Sequence, residues 1–278
     1  MKFFSIGQQK IPVLGFGTWK LSGGECRSAV QKALDIGYRH IDTAQIYENE
    51  AEVGDGIQDS RVNRGDIFLT TKVWMDNVSQ KAMMKSVDES LRKLKTDYVD
   101  LLLIHWPVTD VPFREQMDAL KDVRTSGKTK LIGVSNFTVQ QMTQVHDTLQ
   151  APVVTNQVEY HPFLSQQPVL DYIRKNDMFL TAYSPLARGA VAESPAIREI
   201  GMKYNKTAGQ VTLRWLIQQD NVVAIPKAAS EKHIASNIEI FDFALTIDEM
   251  NKISALARDD GRLINPAWAP AWDTARAA

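Results

Sequence analysis

Eight short apolar runs alternate with amphipathic segments along this chain, and that alternation restricts the fold more than any other feature. The runs cover residues 13–17, 38–42, 67–72, 98–105, 130–135, 153–158, 179–184 and 222–226. They are rich in β-branched residues and nearly continuous in hydrophobicity, as in Val99-Asp100-Leu101-Leu102-Leu103-Ile104. Parallel strands covered on both faces read this way. Between the runs, Met84, Val87, Leu91 and Leu94 recur at spacings of three and four, as do Ala208, Val211 and Trp215, which is the helical period. Eight successive strand–helix units predict an α/β protein of the (β/α)8 TIM-barrel class. The competing architecture, an open doubly wound sheet, calls for G-x-G-x-x-G after its first strand. Here Gly15-Phe16-Gly17-Thr18-Trp19-Lys20 lacks the third glycine, and Gly54-Asp55-Gly56 falls within a helical segment.

Two additions to the barrel are expected. Phe3-Phe4-Ser5-Ile6 and Lys10-Ile11-Pro12-Val13 flank a polar turn at Gly7-Gln8-Gln9 and predict an N-terminal β-hairpin. The stretch 261–278, with Pro266, Trp268, Pro270 and Trp272, predicts an irregular C-terminal tail. With no linker or repeat, residues 1–278 read as one domain, a usual size for one barrel. Lys and Arg number 32 against 33 Asp and Glu, a net charge of −1, which argues against nucleic-acid and anionic-membrane partners. Cys26 stands alone, so no intrachain disulfide forms, in keeping with a reducing compartment. The opening Met1-Lys2-Phe3-Phe4-Ser5 is too short an apolar stretch for a signal peptide. A cytoplasmic monomer acting on a small molecule is the expected form.

Barrel enzymes carry their chemistry at the C-terminal ends of the strands. The second run ends in Asp42, with Tyr47 five residues on; the third ends in Lys72 and the fourth in His105. Each alone has an ordinary explanation: a helix cap for Asp42, a loop aromatic for Tyr47, a solvated lysine, a hydrogen-bonded histidine. On three adjacent strand ends they assemble an acid, a phenol, an ammonium and an imidazole. Reducing a carbonyl by hydride transfer leaves negative charge on oxygen, which requires a proton donor or a stabilising group. Tyr47 is the candidate donor, with Lys72 expected to favour its phenolate and so strengthen it as an acid. Asp42 would orient Lys72, and His105 would position the substrate oxygen. No side chain supplies hydride, so a cofactor is implied.

The chain closely resembles the aldo-keto reductases along its whole length. The resemblance is carried by Gly37-Tyr38-Arg39-His40-Ile41-Asp42-Thr43-Ala44, Tyr47 with Asn49-Glu50, Thr71-Lys72, Asp97-Tyr98-Val99-Asp100-Leu101, His105-Trp106-Pro107, Gly133-Val134-Ser135-Asn136-Phe137, Asn156-Gln157 and Ile225-Pro226-Lys227. Gly261-Arg262-Leu263 and Trp268-Ala269-Pro270-Ala271-Trp272-Asp273 are most similar to the short bacterial 2,5-diketo-D-gluconate reductases. The resemblance implies Asp42, Tyr47, Lys72 and His105 as the catalytic tetrad and no metal. It implies a cofactor site that includes Asp42, with Ser135, Asn136 and Gln157 at the carboxamide and Tyr183 stacked on the nicotinamide ring. Gly17, Thr18 and Trp19 would close the reactive end, Ser184 and Leu186 would line the pyrophosphate path, and Lys227, His233 and Asn237 would hold the adenosine end. Trp19, Trp74, Trp106, Trp268 and Trp272, with Tyr47 and His105, would form the substrate pocket.

Many members that prefer NADPH place serine and arginine where this chain has Ala228 and His233, and glutamate is common where Ser236 stands. Arginine grips a phosphate bidentately, whereas a histidine is mostly neutral at neutral pH. NADPH is therefore the expected cofactor, with NADH also usable. The connections after the fourth and seventh runs are expected to be short, leaving an open pocket. Two other functions fit the barrel: an aldolase forming a Schiff base on Lys72, and a non-catalytic cofactor-sensing subunit.

Overall fold

A computed structural model describes residues 2–273. The hairpin forms as expected: β1 (Phe3–Ile6) pairs antiparallel with β2 (Gln9–Pro12). Eight parallel strands follow, each coinciding with one of the expected runs and overstepping it by at most one residue, at Val73, Thr129 and Glu159: β3 (Phe16–Gly17), β4 (His40–Asp42), β5 (Phe68–Val73), β6 (Val99–Ile104), β7 (Thr129–Ser135), β8 (Val153–Glu159), β9 (Phe179–Tyr183) and β10 (Val222–Ala224). Neighbours in sequence are neighbours in the sheet. The sheet closes on itself through a parallel bridge between Leu14 and Ala224. Gly15 N donates to the Ala224 carbonyl at 2.8 Å and Gly17 N to the Pro226 carbonyl at 3.0 Å along that seam. The result is a (β/α)8 barrel, whose two seam strands are shorter than their apolar runs.

The barrel helices are α1 (Gly23–Asp35), α2 (Glu50–Asp59), α3 (Gln80–Leu94), α4 (Phe113–Thr125), α5 (Val139–Met142, continued by a π turn over Thr143–Thr148), α6 (Gln167–Lys175), α8 (Ala208–Gln218) and α9 (Glu231–Ile238). Two further helices, α7 (Pro195–Tyr204) and α10 (Ile247–Ser254), pack against each other outside this ring. The connection after the seventh strand is thus not short: it holds a 3-10 stretch over Ala187–Glu193 and α7 before α8 begins. Thr138, Thr207 and Thr246 each start a helix with a reciprocal capping box, which satisfies amides that the first turn leaves unpaired. Gly54 lets α2 approach α3 closely, since a Cβ there would lie 2.7 Å from the Lys93 carbonyl oxygen. Gly56 does the same toward α1, where a Cβ would lie 2.6 Å from the Arg27 carbonyl oxygen.

Strand periodicity sorts the core into two layers. On β6, Leu102 and Ile104 join the outer layer shared with the helices, while Leu101 and Leu103 join Ile11, Phe68, Leu131, Phe179 and Val223 inside the barrel. Phe4 and Ile6 of the hairpin pack onto this inner cluster, which places the hairpin over the barrel's lower end. Burying each such side chain contributes about 1.5–3 kcal/mol. The lower end is pinned by Asp100, which accepts from Arg64 (2.9 Å), Lys130 (2.7 Å) and the Leu69 amide (3.0 Å). Residues from 261 onward cross the opposite rim without regular structure, as expected. The end of the expected tail, 274–278, lies outside the described residues.

Candidate active site

The tetrad assembles at the C-terminal rim. Asp42 ends β4, Lys72 lies on β5 and His105 follows β6. Tyr47 ends a short 3-10 turn (Gln45–Tyr47). Asn49 anchors that turn: its Oδ1 accepts from Thr43 Oγ1 at 2.8 Å, and its Nδ2 donates to the Thr18 and Leu21 carbonyls at 2.9 Å. Lys72 Nζ donates to Asp42 Oδ1 at 2.5 Å, to the Thr43 carbonyl at 2.8 Å and to the Tyr47 hydroxyl at 3.4 Å. Asp42 Oδ2 accepts from Gln157 Nε2 at 2.8 Å. Both members of the ion pair are buried, so the remaining hydrogen bonds are needed to offset their lost solvation.

Burial decides the electrostatics. It pushes the Tyr47 phenol well above its ordinary pKa, and the Asp42 carboxylate adds to the rise. This corrects the expectation that Lys72 would make the phenol more acidic: the cation is matched by Asp42 and lies in a desolvated site. Burial likewise lowers the Lys72 ammonium, against the pull of Asp42. His105 is held well below its usual range by burial and then by Lys72, so its imidazole is neutral. Its ring packs edge-on against Tyr47 (5.6 Å) and Trp74 (5.3 Å). Its Nδ1 is buried with no partner. An unpaired lone pair is tolerated better than an unpaired buried N–H, which assigns the proton to Nε2.

These groups open onto a cavity of about 690 Å³, within the usual range for a ligand site. Of the residues expected there, Gly17, Thr18, Trp19, Asp42, Tyr47, Trp74, His105, Trp106, Asn136, Gln157, Tyr183, Ser184, Lys227 and Trp268 line it. Lys72 and Ser135 lie behind the wall. The Ser135 hydroxyl donates to the Gln157 carbonyl at 2.8 Å, and Asn136 joins the group by donating to the His105 carbonyl and accepting from the Tyr183 hydroxyl. Trp272 is set back, packed on Trp106 at 6.0 Å with its Nε1 donating to Asn265 Oδ1. Leu186 is half-buried near Gly209, His233 is exposed on α9 and Asn237 is buried on the same helix; none of the three lines the cavity.

Sequence reasoning missed several lining residues, among them Ile46, Lys20, Arg188 and Asn265. Lys20 Nζ lies 4.6 Å from the Trp19 ring and Arg188 Cζ 5.4 Å from it. Both have left-handed backbones, with φ of 62° and 52°. Non-glycine residues in that region leave no periodic signal. The aldolase reading finds no support in the geometry: Lys72 Nζ has all its donors engaged and no access to the cavity.

A barrel with an acid–phenol–ammonium–imidazole cluster at its rim can position and protonate a carbonyl oxygen, and comparison with known proteins agrees. Residues 13–258 match the model of the aldo/keto reductase family. The chain is 40% identical to methylglyoxal reductase DkgB of Salmonella typhi over 95% of this chain and 99% of that one. It is 40% identical to glyoxal reductase of Bacillus subtilis (strain 168) over 92% and 93%. A solved candidate 2,5-diketo-D-gluconic acid reductase B superposes with a TM-score of 0.93 at 53% identity, covering 95% of this chain and 94% of that one. The chain belongs to the aldo/keto reductase family. Its activity is reduction of small aldehydes and ketones with NAD(P)H.

Proposed function

We propose that this protein uses NADPH, and NADH less efficiently, to reduce small polar carbonyl compounds: methylglyoxal-like dicarbonyls, hydroxyaldehydes and diketo sugar acids. The observation that carries the reading is the Lys72 ammonium bonded to Asp42 at 2.5 Å and to the Tyr47 hydroxyl at 3.4 Å beside a neutral His105. The relatives named above as methylglyoxal and glyoxal reductases support the substrate class.

The cavity suits the nicotinamide and phosphate portion of a dinucleotide. Lys20, Arg188 and Lys227 line it together with the aromatic Tyr183 and the amide of Gln157, a donor set suited to phosphates, a flat ring and a carboxamide. Ser184, Leu186 and Asn237 complete the set we assign to the cofactor, and His233, exposed on α9, would meet the adenosine phosphate. When bound, NAD(P)H supplies the hydride. Tyr47 donates its proton to the carbonyl oxygen as negative charge develops there. Its raised pKa keeps it protonated at neutral pH, and an alkoxide is a stronger base than a phenolate, so transfer remains downhill. Lys72 stabilises the phenolate left behind until solvent returns the proton. Nε2–H of His105 donates to the same substrate oxygen and fixes its position. Trp19, Trp74, Trp106, Trp268 and Trp272 shape the substrate wall.

Among the described residues no helix is long and apolar enough to cross a membrane. The single, buried Cys26 is in keeping with a reducing compartment, and we take the protein to be a cytoplasmic monomer. Loss of nicotinamide absorbance with NADPH and with NADH, each against methylglyoxal, a hydroxyaldehyde and a diketo sugar acid, tests the proposal. No turnover with any pair would overturn it.

A further inference from the structure

Glu159 ends β8 at the rim, is fully buried, and takes no part in the chemistry above. Its Oε1 accepts from the backbone amide of Leu263 at 2.7 Å and from His161 Nε2 at 2.9 Å, and its Oε2 accepts from the amide of Ile264 at 2.9 Å. Gln166 Nε2 donates to its backbone carbonyl at 2.7 Å and holds the strand end in place. A carboxylate removed from water is tolerated only when hydrogen bonds replace its solvation, and here two consecutive tail amides do so.

Leu263 and Ile264 line the cavity with Asn265, Pro266 and Trp268. Leu263, Asn265 and Trp268 are exposed and Ile264 is only half-buried, so apolar burial contributes little to holding this segment. Polar contacts hold it instead. Upstream, Arg258 N donates to the Phe163 carbonyl at 3.2 Å. A Cβ on Gly261 would lie 1.7 Å from that same oxygen, so the tail starts pressed against the loop after β8. Downstream, Asp273 Oδ2 accepts from Val139 N at 2.9 Å. Glu159 sits between these two ties, opposite Tyr183 on the neighbouring strand.

We propose that Glu159 is a positioning residue for selectivity: by holding the amides of Leu263 and Ile264 it fixes the tail side of the substrate wall and sets which carbonyl compounds reach Tyr47 and His105. The inference rests on the reductase reading above, and one arm of its test does not need turnover.

That arm is amide exchange measured by NMR on the unaltered protein. The Leu263 and Ile264 amides are expected to exchange at least about tenfold more slowly than those of Asn265 and Ala267, because each is bonded to a buried charge. Equal rates overturn the proposal. The second arm is Glu159→Gln, which keeps the shape and puts a donor where an acceptor is needed. Substrate KM should rise about tenfold or more, the low end for loss of a charge-assisted hydrogen bond. Turnover and cofactor affinity should stay within about threefold, and the order of preferred substrates should change. Gly261→Ala, which lifts the tail by another route, should produce the same pattern, and the double variant should be no worse than the more impaired single one. Additive losses, or a fall in kcat and cofactor affinity with KM unchanged, would mean that Glu159 acts through Tyr183 or the barrel, and would overturn the proposal. If Glu159→Gln binds no cofactor because it is unfolded, the exchange rates decide alone. Slow exchange in a protein that reduces no carbonyl would sink the reductase reading and leave the tail anchor standing.

Discussion

The Lys72 ammonium lies 3.4 Å from the Tyr47 hydroxyl, yet that phenol is harder to ionise than a free tyrosine. The ammonium's charge is spent on Asp42 at 2.5 Å, so its main service to Tyr47 is to hold the oxygen in place and to stabilise it after the proton has left.

Tyr47→Phe should therefore remove the proton donor while leaving the cofactor site in place. General acid catalysis is worth about 10²–10⁴-fold, and kcat should fall by at least that much. Cofactor affinity, followed by quenching of tryptophan fluorescence, should change little. Near-normal turnover in this variant would remove Tyr47 from the mechanism.

Lys72→Met strands Asp42, a buried carboxylate, without its cation. Breaking one side of a buried pair costs about 3–5 kcal/mol, which should appear as a clear drop in Tm along with a strong loss of turnover. Adding Asp42→Asn should recover much of the stability and none of the activity. If the single variant melts like the parent, the pair is not held in the geometry described.

The neutral state of His105 has a consequence for stability at low pH. Its folded pKa is depressed, first by burial and then by Lys72, whereas the unfolded chain takes up a proton near pH 6.5. Below that pH the unfolded state binds more protons, so this group's contribution to stability is complete above about 6.5 and is lost as pH falls toward the folded pKa. One such proton is worth about 1.4 kcal/mol per pH unit. His105→Gln should flatten the decline of Tm between pH 6.5 and 5 relative to the parent. Parallel curves would show that the imidazole titrates normally in the folded protein.

Cofactor choice should turn on Lys227 and His233, both exposed near the start of α9. A 2′-phosphate carries roughly two negative charges near neutral pH, by analogy with other phosphomonoesters. Lys227→Gly should weaken NADPH binding selectively. His233→Arg should tighten NADPH by roughly tenfold, the low end for an exposed charge-assisted hydrogen bond, and leave NADH unchanged. Dissociation constants for both cofactors with each variant check this; equal shifts would mean that neither residue reads the phosphate.

The strands and the tetrad were legible because both follow from simple periodicity. Runs such as Val99–Ile104 are apolar on both faces, and a parallel barrel then maps each run's last residue to a common rim, which places Asp42, Lys72 and His105 together. What escaped the sequence depends on burial or on backbone angles. The direction of the Tyr47 shift is set by desolvation, which no neighbour list contains. Lys20 and Arg188 reach Trp19 from left-handed backbone positions. Glu159 reads as one more residue at the end of a strand, and only the return of the chain a hundred residues later brings it the amides of Leu263 and Ile264. The α7 insertion after β9 lacked a strand to mark it, so its connection was expected to be short.

The seam between β3 and β10 joins chain segments some two hundred residues apart with one bridge and a few backbone bonds. A closure of such high sequence separation is expected to form after the local strand–helix units, because its loop entropy must be met before its own contacts contribute. Gly17, Thr18 and Lys227, which line the cavity, flank that same seam. A ligand touching both sides acts as a clasp on the barrel's weakest joint: resistance to unfolding should rise with the logarithm of its concentration above Kd, and newly made chains should reach their final closed form sooner in its presence.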